Sequence, residues 1–310
     1  NTNNSDITIQ SATLLCEYYD TDDYADYIKN SSTLYFNSWF PQTRFGDPMI
    51  AIVDEIRTGF KNLFPGGRFR YVLIVLSILG AVISVSELLV LKFFVQIVLQ
   101  EGEIETNQFI LLGAGLAIFF IITRLAQYYQ RNYRVTAFAR SFKSLKKIRK
   151  KGAGNPEWAM AFEISSILTS ATQLTAVLLF ILILEPLYAL LNLVILLVVL
   201  TYIARLFTKQ LQVQLELQTE RDGKKARPQK RYGTRIRAAE NGALAAGIGM
   251  IILLGALLIL SYNGEIPVAN TLIIFFGTRL QNGSLTSTSR SLMRYARAKA
   301  GQKSRAEDDE

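Results

Sequence analysis

The sequence has no histidine and one cysteine, Cys16. The first absence excludes histidine acid–base catalysis, Ser–His triads and His-ligated metals. The second excludes a disulfide within the chain. No GxxxxGK[ST] loop is present, since Lys303-Ser304 follows Gln302 rather than a glycine. A phosphate cradle needs glycines whose N–H groups converge, so this chain alone is not expected to hydrolyse ATP. Paired carboxylates, cysteine clusters and an activated serine are also lacking. No catalytic, cofactor-binding or metal-binding residues are therefore expected. Asn1–Asp26 is polar and acidic with no apolar h-region, so no secretory signal is expected there. Charge is scarce as well: 19% of residues are charged against 50% apolar.

The apolar residues fall into blocks of about 20, the hydropathy signature of membrane helices. The expected fold class is all-α, a polytopic membrane bundle of about six transmembrane helices. The spans are placed near 71–99, 109–129, 164–184, 187–207, 242–260 and, most weakly, 266–277. Only Glu185-Pro186 parts the third from the fourth. Their joint run is about twice the length that crosses ~30 Å of hydrocarbon, so Pro186 is the natural hinge.

Residues 1–48 form a polar, Tyr-rich extension, either solvated or a docking segment through Tyr35, Phe36, Trp39 and Phe40. Residues 49–67 hold an amphipathic helix and its breaker Pro65-Gly66-Gly67. Met49, Ile52, Val53, Ile56, Phe60 and Leu63 repeat at helical spacing. Such a helix either lies in the membrane interface or packs on protein. Residues 68–280 hold the spans, and 281–310 a polar cytoplasmic tail.

The loops sort by charge. The three outer loops carry Glu101, Glu103, Glu105, Glu185 and Glu265 but no Lys or Arg. Every Lys and Arg except Lys92 falls on the inner side, with basic runs at Arg140–Lys151 and Lys209–Arg237. Positive charge inside predicts both termini on the cytoplasmic side, or the matrix or stromal side of an organelle. The net charge of +9 then reflects topology and anionic-lipid contact, and no nucleic-acid partner is expected. Glu87 and Lys92 fall within the first span. They mark either a functional intramembrane charge or a hydrogen bond between helices. Gly113, Gly115, Gly242, Ala243, Ala246, Gly247 and Gly249 permit close helix approach.

An elbow helix followed by three hairpins with short outer and longer basic inner loops resembles the transmembrane domain of ABC exporters. Phe69–Val98, with its acidic Glu87, is similar to the first span of that family. Ile183-Leu184-Glu185-Pro186 resembles the tight outer turn, Gly242–Gly277 the last hairpin, and Ser291–Ala300 the helix leading to the nucleotide-binding domain. The resemblance covers about residues 49–300. It implies half of an ATP-driven exporter, with a second copy or other membrane subunits and a separate ATPase as partners beside the lipid bilayer. ATP would enter only through that partner chain. Arg140, Lys147, Arg227 and Arg231 are then the docking candidates. The chain departs from the family in carrying no ATP-binding domain and in the short segment Arg205–Glu240. Those departures favour an alternative: a non-transporting structural or accessory subunit derived from such a domain.

Overall fold

The computed structural model describes residues 47–63, 68–99, 106–148, 155–219 and 228–308. Apart from Asp47, all belong to one unit, Pro48–Glu310. The extension before Asp47 lies outside the described residues. The described residues form seven helices: α1 Asp47–Leu63, α2 Arg68–Val98, α3 Thr106–Ile148, α4 Asn155–Leu184, α5 Pro186–Thr219, α6 Pro228–Tyr262 and α7 Val268–Asp308. The protein is a helical bundle, and five helices, α2 to α6, are long and apolar enough to cross a membrane.

The two tight turns have local causes. Pro186 has no N–H to donate, which suits the first position of a helix. α5 starts there, directly after Glu185. Asn270 Nδ2 then donates to the Glu185 carboxylate at 3.1 Å, tying this turn to the start of α7. At the end of α6, Gly264 has φ +76°, the left-handed conformation that glycine adopts without a Cβ penalty. The Glu265 N–H returns to the Leu260 carbonyl at 3.0 Å, closing the helix end.

α4 and α7 are antiparallel neighbours along their length. Gly277 lies against Val177 and Ile181, and near the other end Gln302 donates to Glu157 at 3.5 Å. α2 packs on α3, α4 and α7, while α5 and α6 pack on each other and on α7. α3 leans mainly on α2. The apolar first part of α3 is otherwise open, with Leu111 74% exposed, as expected of a face turned to lipid.

The sixth expected span, 266–277, is only the apolar start of α7. This helix is not among the five that qualify by hydropathy, because beyond Gly277 it turns polar. The segment Arg205–Glu240 is helical at both ends. α5 continues to Thr219 and α6 begins at Pro228. Gln210, Gln214 and Leu217, at helical spacing, are buried and carry α5 past the apolar block.

α1 forms where its apolar spacing predicts. Ile52, Ile56 and Phe60 pack on a core that includes Ile164 and Tyr295, whereas Ile50 and Val53 stay exposed. Its stripe is thus divided between protein and the outside. The Tyr295 hydroxyl donates to Glu55 at 3.1 Å, and Lys299 pairs with the same carboxylate. Burial, then the Glu55 charge and this hydrogen bond, push the Tyr295 hydroxyl well above its ordinary range. The phenol stays protonated and remains the donor.

Candidate functional site: a polar layer at mid-bundle and its cleft

Two apolar cores stack along the bundle. One contains Leu73, Ile164, Ile203, Phe207, Leu292 and Tyr295. The other contains Leu88, Ile181, Tyr188, Leu257 and Ile274. Between them every helix of the central bundle changes character. α2 contributes Ser77, Gly80 and Ser84, α4 Thr172 and Gln173, α5 Asn192, α6 Gly249, and α7 Thr278, Gln281, Asn282 and Ser284.

The layer is hydrogen-bonded across helices. Asn192 Nδ2 donates to Gln281 Oε1 at 2.8 Å, with both residues buried. The Tyr188 and Thr278 hydroxyls meet at 3.1 Å. On the α2 side, Gln130 donates to the Leu76 carbonyl at 3.0 Å, Thr172 to that of Ser77 at 2.7 Å and Gln173 to that of Gly80 at 3.4 Å. Gly80 makes this possible, because an added Cβ would stand 2.6 Å from Thr169 Cγ2. Among the described residues Gln281 Nε2 and Asn282 Oδ1 are buried without a partner. Both border an internal cavity of about 20 Å³, room for about one water. Truncating Asn192 to alanine should leave both ends of the Gln281 amide unpaired. The expected cost is about 1–3 kcal/mol, read as a lower midpoint on dodecyl sulfate titration in mixed micelles. Adding Gln281→Leu should return part of it.

The layer opens to the outside between α4 and α7. A cleft of about 440 Å³ is lined by Ser170, Gln173, Phe276, Arg279, Leu280, Gly283, Ser284 and Ser287. Ser284 Oγ donates to Gln173 Oε1 at 3.4 Å, so the cleft wall connects through Gln173 to the Gly80 carbonyl. Arg279 is exposed in the cleft, and among the described residues no hydrogen bond or ion pair engages it. It stands eleven residues into α7, about 16 Å along the axis at ~1.5 Å per residue. That is about half the ~30 Å hydrocarbon thickness.

The residues expected from sequence fall elsewhere. Glu87 accepts from Gln127 Nε2 at 2.9 Å, and Gln127 Oε1 in turn accepts from Arg124 at 3.4 Å. This chain of hydrogen bonds links α2 to α3. Lys92 is half-buried on α2, and no partner engages it among the described residues. Arg227 lies outside the described residues, as do the side chains of Arg140, Lys147 and Arg231. The cleft residues Ser170, Gln173, Arg279, Ser284 and Ser287 were not singled out. Their signal was available: Arg279, Gly283, Ser284 and Ser287 recur at i, i+4, i+5 and i+8, one face of a helix.

At the opposite end of α7 the contacts are ionic. Arg294 Nε meets Glu163 at 2.9 Å and Arg290 Nη2 meets Glu240 at 3.1 Å. The Arg297 guanidinium lies 4.5 Å over the Tyr232 ring. These pairs fix α7 against α4 and α6.

The fold and its layer define a multi-pass α-helical membrane protein with a polar middle. No protein-family model and no curated protein matches the chain.

Proposed function

We propose that this chain is the membrane half of a transport machine, similar to half of an ABC-type exporter, driven by an ATPase on a separate chain. The observation that carries the reading is the cleft between α4 and α7, which carries Ser170, Gln173, Arg279, Ser284 and Ser287 among apolar neighbours and joins the buried polar layer through Gln173. A scaffold accounts for polar side chains paired between helices, but not for polar side chains left open at the bundle surface. Hydroxyls, an amide and a guanidinium facing lipid would instead cost several kcal/mol each. They are tolerated where they line water or meet a second protein wall. A cavity closed by a second half satisfies that need and supplies a route for polar cargo. In this reading α7 makes the sixth crossing, since it follows α4 side by side. Both termini then lie on the cytoplasmic side, as the loop charges require.

Purification in mild detergent or native membrane should yield a stoichiometric P-loop ATPase chain with measurable turnover. Single cysteines in a Cys16→Ser background should react from outside at Asn263 and only from inside at Gln302. A large assembly with no ATPase would leave the scaffold alternative standing instead. Labelling of Gln302 from outside would overturn the topology.

A further inference from the structure

We propose that the α4–α7 cleft binds an amphipathic organic anion, with its acidic group on Arg279 and its apolar body along Phe276 and Leu280. Arg279 is a guanidinium with no counter-ion among the described residues, about 16 Å along α7 at ~1.5 Å per residue, which is mid-membrane depth if α7 makes the sixth crossing. A charge at that depth is matched by a partner or by a polar cavity. Here a cavity is present and a protein carboxylate is not among its lining residues. A guanidinium offers a fork of N–H donors suited to carboxylate or phosphate oxygens.

The remaining lining fits the same ligand. Ser170 on α4 and Ser287 on α7 add hydroxyls to the lining, beside the Ser284 hydroxyl that donates to Gln173. The wall is amphipathic, since on the same helix Phe276 stands three residues before Arg279 and Leu280 directly follows it. Gly283 keeps the floor open: a Cβ there would meet nothing within 4 Å. The volume of about 440 Å³ accommodates a head group and a medium chain rather than a bare inorganic ion. That the bound anion is cargo rests on the transport reading, and the depth of Arg279 rests on the crossing of α7 assumed in it; the cleft and its unpaired guanidinium do not.

The test uses the full chain in phosphatidylcholine nanodiscs and tritiated decanoate, with decyltrimethylammonium as the charge-reversed amphiphile. Native protein should bind decanoate saturably and the cation not at all. Arg279→Gln should weaken decanoate binding at least about tenfold, the value of one charge-assisted hydrogen bond. Gly283→Leu should do the same by filling the cleft while leaving the charge in place. It is independent of Arg279, so it keeps the test decisive if the charge variant fails to fold. Discs doped with phosphatidylglycerol separate the sources of the anion. Competition identifies a bilayer lipid head group, and its absence a water-borne amphiphile. Either result supports the site. Equal decanoate binding by native, Arg279→Gln and Gly283→Leu protein would overturn it, as would equal binding of the cation. Loss of this binding with a co-purifying ATPase would defeat only the ligand class. Binding without an ATPase would defeat only the transport reading.

Discussion

Replacing Gly242 by valine should unfold the bundle at a much lower mole fraction of dodecyl sulfate than the native chain needs. A Cβ at Gly242 would lie 2.1 Å from Ser289 Oγ and 3.0 Å from Ser289 Cβ. Ser289 is fully buried, and its hydroxyl donates to the Ala239 carbonyl at 3.1 Å. It cannot swing away without losing that bond or entering the packed core beside Ile203. The helices α6 and α7 must therefore part. Overpacking costs about 1–3 kcal/mol and the orphaned hydroxyl about 1–3 more, so a loss of about 3 kcal/mol or above is expected. Gly247 supplies the control. It sits on the same helix, but nothing lies within 4 Å of its added Cβ. Gly247→Ala should change the midpoint by less than about 1 kcal/mol. Pairing Gly242→Ala with Ser289→Gly moves the Cβ from one helix to the other and should recover most of the native midpoint. If Gly242→Val and Gly247→Ala behave alike, the close approach of α6 and α7 is wrong.

The two glycines also mark the limit of sequence reading here. Gly242, Ala246 and Gly249 do face neighbours: Gly249 meets Val199 and Ile195, and Ala246 is buried. Gly115 touches Phe93, but Gly113 and Gly247 face open space. Spacing gives a face of small residues. It does not say which of two adjacent faces meets protein and which meets lipid, because both surroundings are apolar. Hydropathy made α2 to α6 legible for the same reason it obscured α7. The buried stripe of α7 runs through Thr278, Gln281, Leu285, Thr288, Ser289, Leu292 and Ala296. Its period is that of a helix, yet four of these seven residues are polar, so an average over the window falls. Arg279 then reads as the inner end of a short span. The structure instead carries the helix on for about eight more turns at ~3.6 residues per turn and puts that arginine in the cleft.

Gly80 is where the cleft and the stability of the bundle meet, and Gly80→Val is expected to damage both. The added Cβ would stand 2.6 Å from Thr169 Cγ2 on α4 and 3.1 Å from Gln130 Nε2 on α3. One substitution thus presses on two neighbours at once. It strikes where the carbonyls of Leu76, Ser77 and Gly80 receive side chains from α3 and α4. Moving α2 outward lengthens those three bonds together, and the expected loss is about 2–4 kcal/mol. The binding effect follows from Gln173. Its amide nitrogen donates to the Gly80 carbonyl, while its oxygen accepts from Ser284 in the cleft. A displaced Gly80 frees Gln173 to turn, and the donor geometry around Arg279 is lost with it. Gly80→Ala separates the two consequences. Alone it should lower the unfolding midpoint and weaken decanoate binding a few-fold. Combined with Thr169→Ser, which removes the methyl at 2.6 Å, it should regain both. Recovery of stability without recovery of binding would mean that Gln173 does not act as the link. Recovery of neither would mean that α2 and α4 do not approach at Gly80, and the polar layer would then have to be joined through α7 alone.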